Sequence, residues 1–390
     1  MGYGAKPRNS GPKKESVSFR LNRDSDSHGI SRPMTPDCEK SKSTYKEKKV
    51  MLEKQYFIPE PEEFISESPL TAEMQKIKAA RDEEIRDVIS GKSQKLLVVI
   101  GPCSAHESAP TLEYISRLGK LNEKVKNELV IVPRIYTNKP RTKGVGYKGM
   151  FLQPDPEGTA DIIRGIRSIR ALHLAAINES GLTSADEMLY PENTAYVEDL
   201  LSYHAVGARS VEDQLHRQVA SGIDAPVGMK NPMGGNLLAM INSVYAAQSP
   251  QIFKYRNYQV RSDGNPFAHA ILRGGVDGAG VDVPNFHYET VMKVDELYRG
   301  SKLQNPAIII DTNHSNSGKQ CRQQIRIAEE VMQNRRFNED FKRIVKGFMI
   351  ESFLVEGNQA HDEVFGKSIT DPCLGWEDTE RLLCSLAEQV

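Results

Sequence analysis

No apolar run in this 390-residue chain reaches the roughly 18 residues of a membrane-spanning helix, which excludes a transmembrane span. The N-terminus lacks the apolar core of a secretory signal. Cysteine is scarce. Cys38, Cys103, Cys321, Cys373 and Cys384 have no paired spacing and no CxxC, which argues against a zinc finger or a disulfide framework. An odd number of cysteines in a large chain fits a reducing compartment, so the expected location is cytoplasmic. The net charge is only -1, which removes the case for bulk nucleic-acid or acidic-membrane binding. No internal repeat is present beyond a β/α rhythm.

What is present is the composition of a soluble globular protein, 38% hydrophobic and 26% charged, with length for one large barrel plus extensions or for two domains. Residues 1–50 carry 12 Lys/Arg against 6 Asp/Glu, are rich in Ser, Lys, Pro and Gly, and have few aromatics. We therefore read residues 1–55 as a flexible polar tail and 56–390 as the catalytic unit. Asp24, Asp26, Asp37 and Glu39 argue against a transit peptide.

Eight short apolar runs each lead to a polar or charged group at their C-terminal end. LLVVIGPC leads to Cys103, LVIVPR to Arg134, LTSADE to Glu187 and HAVGAR to Arg209. PVGMK leads to Lys230, AHAILR to Arg273, AIIIDTNH to His314 and KGFMIE to Glu351. Helix-length amphipathic stretches lie between most of them. This predicts an α/β fold, a (β/α)8 TIM barrel whose strand ends converge on one site.

Ser68-Pro69 offers an N-cap and a first-turn proline for a helix running to about Ser90, ahead of the first strand, with Gly91 placed to stop it. That helix is a candidate barrel plug or subunit contact. Further helical patterns fall at 110–127, 158–179, 193–202, 213–221, 234–247, 287–300, 318–335 and 376–388. Two connections are long. Thr137–Pro156 is polar and glycine-bearing, as functional loops are. Residues 253–267 carry an Asp263-Gly264 turn signal and alternating aromatics, which predicts a β-hairpin inserted before strand six.

Two constellations carry chemistry. The first is cationic: Arg134, Lys139, Arg141, Arg209, Lys230 and Arg273. Burying an unpaired cation costs several kcal/mol or more, roughly, so cations converging on one mouth call for anionic ligands unless strand-end carboxylates match them. Such carboxylates look too few. The second is Cys103, His314, Glu351 and Asp371, a soft and hard donor mixture suited to divalent Mn, Fe, Co or Zn. Taken alone, His314 reads more readily as a hydrogen-bonded polar residue and Cys103 as a small buried one, and the metal reading depends on the barrel. Glu187 either orients a cation or water, or forms an internal ion pair. Lys230 raises a rival chemistry, a Schiff base formed at a strand-end amine.

Ten short motifs then occur in order: GPCS at 101–104, KPRT at 139–142, GAR at 207–209, ASG at 220–222, VGMKN at 227–231, ILRGG at 271–275, NHSNS at 313–317, ES at 351–352, VEGNQ at 355–359 and GKSITD at 366–371. Together they resemble the class I, microbial type of 3-deoxy-D-arabino-heptulosonate 7-phosphate (DAHP) synthase from about residue 60 to the C-terminus. The resemblance implies a metal-dependent condensation of phosphoenolpyruvate with erythrose 4-phosphate, the entry step of the shikimate pathway. It assigns Cys103, His314, Glu351 and Asp371 to the metal, and Arg209, Lys230 and Arg273 to the phosphoenolpyruvate phosphate. It puts Arg134 and Lys139 against the carboxylate and reacting carbon, Arg141 and Thr142 at the aldose phosphate, and Glu187 on the water or phosphate side. Lys139 and a metal-held water remain alternatives for carrying the proton to the new alkoxide.

The resemblance also implies a homodimer or homotetramer, and an aromatic amino-acid effector site near Pro191 and Ser221 that takes phenylalanine, tyrosine or tryptophan or is unused. Departures lie in KGVGYKGMFLQPDPEG, longer than the Gly-Trp-Lys-Gly version of this segment, in the compact hairpin, and in the tail. The alternatives are a condensing enzyme for another sugar phosphate, a Schiff-base aldolase through Lys230, and a non-enzymatic dead barrel, whose sign would be a lost ligand or cation.

Overall fold

The computed structural model describes Gly2, residues 52–139 and residues 146–390. The chain divides into two units, Met1–Gln55 and Tyr56–Val390. In the second unit eight strands form one sheet: β1 Leu96–Gly101, β2 Leu129–Pro133, β3 Ser184–Glu187, β4 Leu201–Val206, β5 Val227–Lys230, β6 His269–Leu272, β7 Ile308–Asp311 and β8 Val345–Glu351. All pairs are parallel, in the order β2-β1-β8-β7-β6-β5-β4-β3. The two ends of that order meet at a parallel bridge between Arg134 and Ala185, where Ile135 N–H donates to Ala185 O at 2.9 Å. The expected eight-stranded barrel is present, closed by this short seam.

Strand alternation explains the packing. Leu97, Val99, Val130, Val132, Ala185, Ala205, Ile271, Ile309 and Met349 form one buried cluster, the barrel interior. Leu96, Val98, Ile100, Ile131, Ile308 and Ile310 belong to the layer beneath the helices. The helix ahead of β1 plugs the barrel: Ile85, Val88 and Ile89 are fully buried and join the interior cluster.

Local structure corrects the sequence reading in three places. Ser68-Pro69 starts no helix. A short helix, α1 Pro61–Glu67, ends at Ser68, whose hydroxyl donates to Phe64 O at 3.1 Å. The next helix, α2 Ala72–Ser90, is capped by Thr71, which accepts from Met74 N–H at 3.2 Å, and stops at Gly91 with φ 81° as expected. The helix expected at 193–202 is a 3₁₀ turn, Pro191–Tyr196, and the chain is already β4 by Leu201. The buried Arg170 takes Tyr196 O at 2.7 Å and Asp199 Oδ1 at 2.7 Å, capturing a carbonyl that a continuing helix would need. The hairpin is present as Gln251–Tyr255 with Tyr258–Ser262, but it turns at Arg256-Asn257, with Arg256 at φ 53°, not at Asp263-Gly264.

The remaining helices are α3 Ser108–Val125, α4 Ile162–Ser180, α5 Gln214–Ala220, α6 Leu237–Gln248, α7 Tyr288–Ser301, α8 Gln323–Phe337, α9 Glu339–Ile344 and α10 Trp376–Ala387. Among the described residues, no helix is long and apolar enough to cross a membrane.

Candidate active site

Parallel strands end at one mouth, and register decides which ends become neighbours. Gly101 on β1 lies opposite Glu351 on β8, so Cys103, two residues on, comes beside that carboxylate. Cys103 Sγ, a Glu351 oxygen and an Asp371 oxygen all lie within 4.8 Å of one another. His314 Nε2 is 3.7 Å from Glu351 Oε1. Lys139 Nζ donates to Cys103 Sγ at 2.8 Å and lies 3.5 Å from Glu351 Oε1.

Glu351 is fully buried and clamped on both oxygens. Arg134 Nη1 donates to Oε1 at 2.6 Å, and Asn313 Nδ2 donates to Oε2 at 2.6 Å. The Gln324 amide bonds the Glu351 main chain in both directions, each at 2.9 Å. Burial alone would raise the Glu351 pKa, but Arg134 and Lys139 hold it well below the usual carboxylate range. Asp371 is held low despite burial and the nearby Glu351 charge, by Lys139, His314 and a 2.8 Å bond from Lys319 Nζ. Burial, then the Glu351 charge, push the Cys103 thiol up to about 11.

His314 is held by a residue that the sequence reading passed over. Asp311, at the end of β7 and fully buried, lies 2.9 Å from His314 Nδ1 and accepts from Lys230 Nζ at 2.9 Å. Burial lowers the His314 pKa, so the ring is neutral with its proton on Nδ1 toward Asp311. Nε2 is thereby left as a free lone pair facing Glu351. This carboxylate–imidazole arrangement is the usual support of a metal-ligating histidine. His314 also sits at φ 53°, a strained setting for a non-glycine residue. One thiol, one imidazole and two carboxylates in this arrangement fit a divalent cation of the softer kind.

The cationic set needs a correction. Arg134 pairs with Glu351 and Lys230 pairs with Asp311, so strand-end carboxylates match more of the cations than the sequence suggested. Lys230 Nζ is committed to Asp311, and this ion pair does not favour the Schiff-base reading of that amine. Arg209 and Arg273 have no carboxylate within 4.0 Å among the described residues. Both line a cavity of about 150 Å³ together with Lys139, Glu187, Lys230, His314 and Asp371. The Arg134 guanidinium lies over the Tyr136 ring at 3.9 Å, and its buried Nε has no acceptor among the described residues. Arg141 and Thr142 lie outside the described residues.

Two glycines make the mouth possible. A Cβ at Gly207 would lie 2.2 Å from Glu187 Oε1, so glycine lets that carboxylate rest against the end of β4. Gly274, at φ 75°, runs against the Ser315–Asn316 backbone, where a Cβ would come within 2.6 Å. Three buried amides hold this turn: Asn231 accepts from Arg273 N–H, Asn285 accepts from Gly274 N–H, and Asn316 donates to Leu272 O and Asp311 O. Asn231 and Asn316 lie in VGMKN and NHSNS, but the sequence gives these amides no role, because partners such as Asn231 and Asn285 lie 54 residues apart. The sequence reading missed His106, whose Nε2 lies 3.1 Å from Asp362 Oδ2 and ties the loop after β1 to the loop after β8.

The hairpin reaches the two residues expected near an effector. Tyr255 OH donates to Pro191 O at 3.1 Å, and Ser262 and Ser221 share a 2.6 Å hydroxyl bond.

The sequence and the fold both have known counterparts. Residues 69–384 match the model of the DAHP synthetase I family. The chain is 39% identical over 341 residues to the Trp-sensitive phospho-2-dehydro-3-deoxyheptonate aldolase of Enterobacter agglomerans, covering 85% of this chain and 94% of that one. It is 39% identical over 340 residues to the Phe-sensitive enzyme of Escherichia coli K12, covering 85% and 93%. A solved phospho-2-dehydro-3-deoxyheptonate aldolase from Francisella tularensis SCHU S4 superposes with a TM-score of 0.80 at 32% identity, covering 87% of this chain and 98% of that one. The chain therefore belongs to the DAHP synthetase I family.

Proposed function

We infer that this protein condenses phosphoenolpyruvate with erythrose 4-phosphate and water to give DAHP and inorganic phosphate, the first step of the shikimate pathway. The observation that carries the reading is the thiol, imidazole and two carboxylates at the barrel mouth beside Arg209 and Arg273, two guanidiniums without a carboxylate partner among the described residues.

Arg209, Lys230 and Arg273 hold the phosphoenolpyruvate phosphate, with Arg matching its oxygens through paired N–H bonds. Arg134 offers its unspent Nε to the substrate carboxylate while its other edge holds Glu351. Lys139 reaches the reacting carbon, and Arg141 and Thr142 take the aldose phosphate. Cys103, His314, Glu351 and Asp371 would hold a divalent cation, which when bound supplies Lewis-acid polarisation of the aldehyde oxygen. With both anions fixed in register, the enol carbon attacks the aldehyde carbon and the entropic part of the barrier falls. Lys139, already an ammonium hydrogen-bonded at this cluster, gives the proton to the new alkoxide oxygen. Water, oriented by Glu187, adds to the carbon bearing phosphate, and inorganic phosphate leaves by C–O cleavage.

The Trp-, Phe- and Tyr-sensitive names of the relatives support an aromatic amino-acid effector, which we assign to the hairpin face at Pro191 and Ser221. A cytoplasmic homodimer or homotetramer completes the reading.

The test is phosphate release from phosphoenolpyruvate and erythrose 4-phosphate, with EDTA and then with added Mn. Release that needs both substrates, stops with EDTA and returns with Mn is expected. No release with any divalent metal would redirect the reading to another aldose phosphate.

A further inference from the structure

The opposite end of the barrel carries a second group of cations. A cleft of about 390 Å³ opens at the N-terminal ends of the strands. Gly91 and Gln94 line it ahead of β1, Asn305 ahead of β7, and Lys342, Arg343 and Lys346 at the junction of α9 and β8. We propose that this cleft binds a phosphate-type anion, held between the Lys342 and Lys346 ammonium groups with Arg343 at its rim.

The argument is one of missing counter-charge. Lys342 and Lys346 are both half-buried, yet among the described residues neither ammonium has a hydrogen-bond acceptor or a carboxylate within 4.0 Å. The neighbouring guanidiniums are already engaged. Arg343 pairs with Asp295 and Asp340, and the buried Arg335 is spent on Lys342 O and Val345 O. Glu339 also lines the cleft, but it is exposed and pairs with neither lysine. Burial, then the charges of Arg335 and Arg343, push the Lys346 ammonium down to about 8, the response of a cation that the protein leaves uncompensated. The C-terminal end of α2 offers partial relief through its dipole, but no hydrogen bond.

The backbone keeps the space open. Gly91 ends α2 at φ 81°, and a Cβ there would come within 3.1 Å of Lys346 Nζ. Two rotatable ammoniums present more donors than one carboxylate accepts, and they match the three or four oxygens of a phosphate group.

Reductive methylation of the full-length enzyme, read peptide by peptide by mass spectrometry, separates this site from the catalytic mouth. The probes are inorganic phosphate and glycerol phosphate, each against chloride at equal ionic strength, with the exposed Lys120 as control. Inorganic phosphate, glycerol phosphate or both should slow methylation of Lys346 several-fold and leave Lys120 unchanged. Protection by both identifies free phosphate as sufficient; protection by the ester alone identifies a phosphomonoester ligand. Lys342→Gln should abolish the protection while phosphate release from the substrates stays at its wild-type rate. Equal slowing of Lys346 and Lys120, no slowing with either anion, or full protection in Lys342→Gln would each overturn the proposal.

Discussion

Asp311 joins two functions in one carboxylate. It orients His314 through Nδ1 and neutralises Lys230, both at 2.9 Å. Asp311→Asn keeps the shape but removes the charge. We expect divalent-metal affinity to fall roughly 10–100-fold, the usual cost of losing a supporting carboxylate behind a ligating histidine. Mn titration by calorimetry checks this; unchanged affinity would mean that Asp311 does not orient the ring. Gly207→Ala tests the opposite wall. Its Cβ would collide with Glu187 Oε1, and displacing that carboxylate should lower kcat/KM by about 100-fold, as a misplacement on the ångström scale does. Steady-state kinetics with folding checked by circular dichroism would show it, and near-wild-type kinetics would remove Glu187 from the chemistry. At this scale, the residues that end strands were legible and the ones that support them were not. Asp311 carries no separate mark because it sits inside the run AIIIDTNH, three residues before His314. Asn231 and Asn316 fall inside VGMKN and NHSNS, but their bracing role, like that of Asn285, leaves no local mark, since an amide in a turn looks the same whether it caps a loop or braces an arginine.

Elements were legible in proportion to their burial. Parallel strands covered on both faces are continuous apolar runs, and LLVVI or AIII admits little else. Elements shaped by single tertiary contacts were not. Arg170 reaches across from α4 to end the Pro191–Tyr196 turn, and no periodicity announces such a capture. The hairpin turn fell on Arg256-Asn257 because strand pairing set the register, with Tyr255 opposite Tyr258, over the stronger local signal of Asp263-Gly264. One helix end remains poorly matched to its sequence. Lys302 caps α7 in the left-handed region at φ 53° and makes no side-chain bond among the described residues. Lys302→Gly should raise stability by about 0.5–1 kcal/mol, the left-handed penalty less the extra backbone entropy of glycine. The urea midpoint measures this, and a lower midpoint would contradict it.

Two interior imidazoles contribute a pH dependence to the whole molecule. Burial, then the charges of Lys78 and His173, depress His204 to about 3, and burial depresses His269 to about 4. His269 is neutral by its partners as well: Nδ1 donates to Phe267 O and Nε2 accepts from Tyr203 OH, both at 2.8 Å. Both values lie below the 6.5 of an unfolded chain, so between them the unfolded state binds more protons. Stability from these rings is present above pH 6.5 and is lost as pH falls. The loss between pH 7 and pH 5 is on the order of 2 kcal/mol for each ring. Urea unfolding at the two pH values should show it, with a smaller drop in His204→Gln; an equal drop in the variant would place the effect elsewhere.

The barrel seam sets where this molecule comes apart. Seven of its strand junctions are ladders, and the eighth is the bridge from Arg134 to Ala185. Arg134 is also the clamp on Glu351, so the weakest stave joint and the ligand cluster share a residue. A divalent cation held by Cys103, His314, Glu351 and Asp371 would steady Glu351 and with it the Arg134 end of the seam, so Ile135, whose amide crosses it, should exchange its hydrogen more slowly when Mn is added.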